Sequence, residues 1–232
     1  MPLLDDIEDE VQAVFRTIWK TRDGIVVPEA EHVRLGNDAV LLRGTVLYAD
    51  LAASTDLVTR YKDQFAAEVY KAYLLSSCRI IRSQDGVITA FDGDRVMAVF
   101  LGDSQNSAAA KAALMINYVV HNTINALMKT QYPDTGYEVQ QAVGIDTGDL
   151  LVARTGIRGA NDLVWVGRAA NYAAKLCSLR EGTYASYITQ DVFDALSEQS
   201  KYGGSPTQCM WEKVIWDTYG IPVYRSSWWW KP

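Results

Sequence analysis

Asp50 closes the apolar run LLRGTVLYA, and Asp94 sits in Asp92-Gly93-Asp94-Arg95 between two further apolar runs. Carboxylates are hard oxygen ligands, and two of them brought to one edge of a sheet suit Mg2+ or Mn2+. Taken singly, each has a plainer role: Asp94 shapes a tight turn and Asp50 ends a strand. The segment after Asp50 adds to the pair. Leu51-Ala52-Ala53 runs into Ser54 and Thr55, natural N-cap residues, and so into a helix start whose unpaired N–H groups form an anion site. Metal ions beside an anion cradle suggest a nucleoside triphosphate.

The elements must bring Asp50 and Asp94 together across 44 residues of chain. Val46, Leu47 and Tyr48 suit a buried central strand. Leu57, Tyr61, Phe65, Val69 and Tyr73 recur every four positions and predict one long amphipathic helix. Residues 87–91 and 96–100 flank Asp-Gly and predict a hairpin. An Ala-rich helix, capped near Ser104 or Ser107, is expected to reach about Met128. Pro133 and Gly136 then break the chain before a strand through Val139, Ala142, Val143 and Ile145. Strand, helix, strand, strand, helix, strand is the ferredoxin-like split βαβ order, an α+β sandwich.

Beyond this core, residues 156–162 read as a loop, 164–166 as a short strand, 168–179 as a third helix and 186–196 as a small strand and helix. Residues 1–40 form an N-terminal extension, with a helix carrying Ile7, Val11, Val14, Phe15 and Ile18, a turn at Asp23-Gly24 and an extended Ile25-Val26-Val27. The core domain spans 41–200. Residues 201–232 supply aromatic-rich strands and a tail packing on the same domain. The closing Trp228, Trp229 and Trp230 read equally as an interface patch or as a hydrophobic cover folded back.

Composition narrows the partners. With 232 residues, 49% hydrophobic and 22% charged, the chain has ample apolar material for one large domain. Twenty-eight acids against 22 bases give a net charge of -6, which repels nucleic-acid backbones. Cys78, Cys177 and Cys209 lack C-x-x-C spacing, which argues against a disulfide framework or a structural zinc site. The acidic start MPLLDDIEDE is unlike a signal peptide, and no stretch approaches the ~20 apolar residues of a membrane helix. A cytoplasmic protein without nucleic-acid or membrane partners is expected. His32 and His121, the only histidines, leave little for a His-based site.

Three segments resemble the class III nucleotidyl cyclases. LYADLAAST (47–55) resembles the family's first metal-binding strand and phosphate loop, FDGDRVMAVF (91–100) its second metal-Asp hairpin, and VGRAANYAAKL (166–176) its G-x-x-V-N-x-A-x-R helix. VGIDTGDLL (143–151) resembles its I-H-T-G strand. The resemblance covers roughly residues 41–200, in the family's order, and makes that stretch the expected catalytic domain. It implies that Asp50 and Asp94 hold two divalent ions, Mg2+ or Mn2+, against the phosphates and the ribose 3′-hydroxyl, whose oxygen attacks the α-phosphorus and expels pyrophosphate. It assigns the phosphates to Leu51, Ala52, Ala53, Ser54 and Thr55. Asn171 matches the ribose-orienting residue, and Lys175 stands where the family carries a transition-state arginine, as a point donor instead of a fork. It further implies a head-to-tail homodimer in which one protomer's aspartates meet the other's Asn171 and Lys175 in composite sites.

Base choice departs from the purine cyclases of the family. Their lysine four residues before the second metal Asp and their aspartate seven before the Asn are Ala90 and Val164 here, and neither side chain can hydrogen-bond. This looks like the pyrimidine cyclases of the bacterial Pycsar antiphage system, whose cyclic UMP or cyclic CMP activates a separate effector through the product. UTP is preferred to CTP as the expected substrate. Tyr48, two residues before Asp50 on the same strand face, either contacts the base or is an ordinary core aromatic. Arg95, beside Asp94, is another candidate for the pocket, but strand alternation points it to the face opposite Asp94. Cytidylate cyclase, an adenylate or guanylate cyclase with an unfamiliar pocket, and an inactive nucleotide-sensing module are the alternatives.

Overall fold

A computed structural model describes residues 2–232. In chain order the elements are α1 (Pro2–Arg16), β1 (Lys20–Asp23), β2 (Asp38–Leu51), α2 (Ser54–Arg60), α3 (Asp63–Ser83), β3 (Val87–Asp92), β4 (Arg95–Phe100), α4 (Gln105–Val119) and α5 (Asn125–Gln131). They continue with β5 (Gln141–Ile157), β6 (Ala160–Val166), α6 (Arg168–Leu176), β7 (Ser186–Thr189), α7 (Gln190–Asp194), α8 (Glu198–Lys201), β8 (Tyr202–Gly203), β9 (Gln208–Cys209), β10 (Glu212–Trp216) and β11 (Ile221–Ser226). The chain forms two units, one of residues up to Arg43 with Asp149–Gly167, the other of Gly44–Gly148 with Arg168–Pro232.

The second unit carries strands in the order β10-β11-β7-β5-β2-β4-β3. Its β5-β2-β4-β3 portion is the split βαβ arrangement, with α3 and α4 as the crossovers. Alternation along β2 and β4 turns Leu47, Ala49, Leu51, Val96, Ala98 and Phe100 to the face covered by Val69, Tyr73 and Ile81 of α3 and Ala109, Ala113 and Leu114 of α4. Each large aliphatic side chain buried there contributes on the order of 1.5–3 kcal/mol. A smaller cluster of Ala142, Leu176, Tyr187, Trp216 and Val223 closes the other face. Helix α6 crosses that face where β5 has Gly144, because a Cβ at Gly144 would lie 2.2 Å from the Ala173 carbonyl oxygen and 2.4 Å from the Cys177 nitrogen. Backbone contact thus fixes the height of α6 above the sheet.

The first unit contains α1, which buries none of its residues and leaves Leu3, Leu4, Ile7, Val11, Val14 and Phe15 exposed. Its end is tied down by Asn37, whose Nδ2 donates to the carbonyls of Val14 (2.9 Å) and Thr17 (2.6 Å). Strand β1 pairs parallel with the start of β2, and β6 pairs antiparallel with the second half of β5.

Several expectations need correction. The single long helix divides at Tyr61, whose backbone is extended (φ -122°, ψ 166°). Tyr61 packs instead against Phe65 and Tyr137, with ring centroids 5.2 and 5.4 Å away, and that aromatic contact outweighs helical continuation. The Ala-rich helix reaches Gln131 through a π-turn at Val120–Ile124. Residues 156–162 are not a loop: Gly156 and Gly159, both at positive φ, shape the β5–β6 hairpin. The extended piece near residue 25 forms no strand, and Lys20–Asp23 does. The third helix stops at Leu176. Of the two readings of the tryptophan tail, the cover describes Trp228 and Trp230, which pack on the core, with the Trp230 backbone N–H donating to the Leu114 carbonyl at 3.0 Å, whereas Trp229 is exposed.

Candidate active site

Asp50 lies one residue from the end of β2, directly opposite Arg95, and Asp94 is the turn residue before Arg95. Strand pairing therefore brings the two carboxylates together. Burial raises the Asp50 carboxyl above its ordinary range, and the charge of Asp94 raises it further, against the opposing pull of Arg180 and Arg95. Asp94 Oδ2 is buried and has no hydrogen-bond donor. The Tyr137 hydroxyl, which feels the Asp94 charge, is also buried without a partner and pushed up to about 12, chiefly by burial. Two half-buried, mutually repelling carboxylates with an undonated oxygen fit a divalent cation. Among the described residues no group of three or more His, Cys, Asp or Glu gathers to hold a metal, so phosphate oxygens and water must complete any coordination shell.

Arg180 occupies this place in the isolated chain. Its Nη2 donates to Asp50 Oδ2 at 2.9 Å, with the two side chains 37% and 19% exposed. Sequence reading missed it, since Arg180 lies four residues past the end of α6 in a segment with no periodic pattern.

The turn after Asp50 departs from the expected capping. Ala53, not Ser54 or Thr55, is the N-cap of α2, in the left-handed region (φ 55°, ψ 33°) and without a side-chain cap bond. That conformation costs a non-glycine residue roughly 1–2 kcal/mol, a strain that clusters at functional turns. Leu51 and Ala52 are buried, and the Ala52 N–H is already committed to the Gln140 carbonyl at 2.8 Å. An anion at this turn would meet N–H groups from Ala53 onward, with Ser54 and Thr55 in the first turn of the helix.

Helix α6 presents Asn171 and Lys175 on its exposed side. Its start is pinned by Arg168, whose Nε donates to the fully buried Asp146 at 3.2 Å and whose Nη2 also pairs with Asp191. Thr189 Oγ1 donates to the same Asp146 carboxylate at 2.6 Å. The Lys175 ammonium donates to the Tyr219 hydroxyl. Arg180 and Arg95 are cations whose charge pulls the Asp50 carboxyl down.

Of the positions expected to meet the base, Ala90 and Tyr48 both lie opposite Met97, so the three share a face. Val164 lies on β6 in the other unit and is 38% exposed. Arg95 requires a correction: being directly opposite Asp50, it shares the face of Asp50 and Tyr48 instead of pointing away from them. Alternation relates neighbours on one strand, whereas cross-strand register sets which face a turn-flanking residue joins.

A protein from Xanthomonas perforans named uridylate cyclase is 47% identical over all of this chain and 99% of its own length. One from Burkholderia cepacia with the same name is 45% identical over 99% of each chain. The chain belongs to the uridylate cyclase family. Among solved structures, this uridylate cyclase family member resembles a guanylyl cyclase (TM-score 0.67, 16% identity, 83% of this chain and 95% of the other). It also resembles the adenylyl cyclase CyaB from P. aeruginosa (TM-score 0.62, 20% identity, 80% and 95%). At those identities the likeness establishes the fold, that of the class III nucleotidyl cyclases. No family profile matches the sequence.

Proposed function

We propose that the protein converts UTP to 3′,5′-cyclic UMP and pyrophosphate, with Asp50 and Asp94 as the ligands of two divalent ions. The convergence of these two carboxylates, one oxygen of which has no protein donor, carries the reading. When bound, Mg2+ or Mn2+ would lower the pKa of the ribose 3′-hydroxyl and neutralise the triphosphate. Asp50 and Asp94 hold that charge at the end of β2. The backbone of Ala53, Ser54 and Thr55 cradles phosphate oxygens. Asn171 orients the ribose so that the 3′-oxygen lines up with the α-phosphorus, which supplies the alignment a ring closure requires. Lys175 donates to the α-phosphate as charge builds there. Arg180 must give up Asp50 for the site to load and is then free to meet the triphosphate.

The resemblance to the class III cyclases supports a composite site, in which Asp50 and Asp94 of one protomer face Asn171 and Lys175 of another, head to tail in a homodimer. Ala90 and Val164 offer no side-chain hydrogen bond to a purine, which supports a pyrimidine substrate. In this reading the protein is a cytoplasmic enzyme of antiviral defence whose product activates a separate Pycsar effector. Incubating purified protein with each of the four nucleoside triphosphates and Mn2+ tests the core of it. Cyclic UMP and equimolar pyrophosphate are expected from UTP. Faster turnover of another triphosphate, or none of any, would sink the assignment.

A further inference from the structure

Arg95 is placed for a task that ring closure itself does not require. Its guanidinium centre lies 5.4 Å from the centroid of the Tyr48 ring, and its Nη2 donates to Asp92 Oδ2 at 2.6 Å, while its Nε has no acceptor. Register puts Tyr48, Asp50, Ala90, Asp92, Arg95 and Met97 on one face of the β3–β4–β2 ladder. Around Tyr48 on that face, Ala90 and Met97 are apolar. Hydrogen-bonding groups there include the Tyr48 hydroxyl, the charged Arg95 fork and the Cys177 thiol, which burial pushes up to about 12 and keeps protonated. Arg95 is thus a donor held in one orientation by a carboxylate on one side and an aromatic ring on the other.

We propose that Arg95 is the residue that selects UTP over CTP, donating a guanidinium N–H to the 4-carbonyl of uracil while the base lies against Tyr48. The chemistry is one-sided. A guanidinium only donates and never loses its charge. Uracil offers an acceptor at ring position 4, whereas cytosine carries an amino group there, so cytosine would set donor against donor and leave both unpaired. Arg95 then supplies, from the neighbouring strand, the polar contact that Ala90 cannot.

This inference rests on the uridylate cyclase reading, and its test separates the two. The ratio of kcat/KM for UTP to that for CTP is measured with Mn2+ on the full-length wild type and on Arg95→Met, with thermal melts of each. The expected result is a wild type that favours UTP and a variant whose UTP kcat/KM falls on the order of 10- to 100-fold while CTP changes little, so that the ratio collapses. Equal losses on both substrates, or an unchanged ratio, would overturn the proposal while leaving the uridylate reading intact. A wild type that leaves UTP untouched would remove the reading beneath it. Should Arg95→Met fail to fold, 4-thio-UTP on the wild type decides. Its weaker sulfur acceptor is expected to lower kcat/KM several-fold, and turnover equal to that of UTP would overturn the assignment.

Discussion

Asp50 shows how the proposed cation site is built at the cost of stability. Its carboxyl is held above its ordinary range by burial and by Asp94, so its charged form weakens the metal-free fold at neutral pH. The sign is that of an acid whose folded pKa exceeds its unfolded one: the stability contributed is full below the unfolded value and is lost as pH rises through the folded value. Replacing Asp50 with asparagine removes both the repulsion and the desolvated charge. Asp50→Asn is expected to reduce cyclic nucleotide formation by at least ~1,000-fold, the order associated with losing a charge-stabilising group. Its melting temperature at pH 7.5 without metal should be no lower than that of wild type. A clear drop in melting temperature would mean that the Arg180 pair, at 2.9 Å, outweighs the Asp94 repulsion.

At the scale of elements, α6 is positioned by two devices, the missing side chain at Gly144 and the buried Asp146 that grips Arg168. Removing the cation strands a carboxylate that is fully buried. Arg168→Met should destabilise the fold by about 2 kcal/mol at pH 8, below the roughly 3–5 kcal/mol of fully buried pairs because Arg168 is half exposed. Asp146 already sits above its ordinary range through burial, and losing Arg168 raises it further. The deficit should therefore shrink as the pH falls and the carboxyl takes up its proton, as melts across pH 5 to 8 would record. A deficit independent of pH would assign the loss to packing alone.

The same elements show what a sequence can disclose. Asp-Gly between apolar runs made the β3–β4 hairpin and the nearness of Asp94 to Asp50 legible, because turn chemistry is local. The break at Tyr61 was hidden, since its cause is the Tyr137 ring 76 residues away in the chain and period-four spacing continues straight through it. Arg180 was invisible for a related reason: an ion pair between residues 50 and 180 leaves no spacing to read. Arg95 was seen but put on the wrong face, for want of the register that only pairing supplies.

For the whole molecule, a composite site makes a prediction that no monomeric enzyme can satisfy. Asp50→Ala and Asn171→Ala proteins are each expected to be inactive. Mixed in equal amounts and allowed to exchange subunits, they should recover about one quarter of wild-type activity, because half the dimers are mixed and each of those holds one intact site of two. No recovery after confirmed exchange would point to sites completed within one chain.

The segment after β11 ties together parts of the chain far apart in sequence. Strand β11 lies between β10 and β7 in the sheet, and the backbone N–H of Trp230 donates to the Leu114 carbonyl on α4. Trp228 and Trp230 pack on the core from that segment. Trimming residues 227–232 would therefore uncover apolar surface on α4, and a protease that clips there is expected to leave a protein that melts at a lower temperature and aggregates more readily.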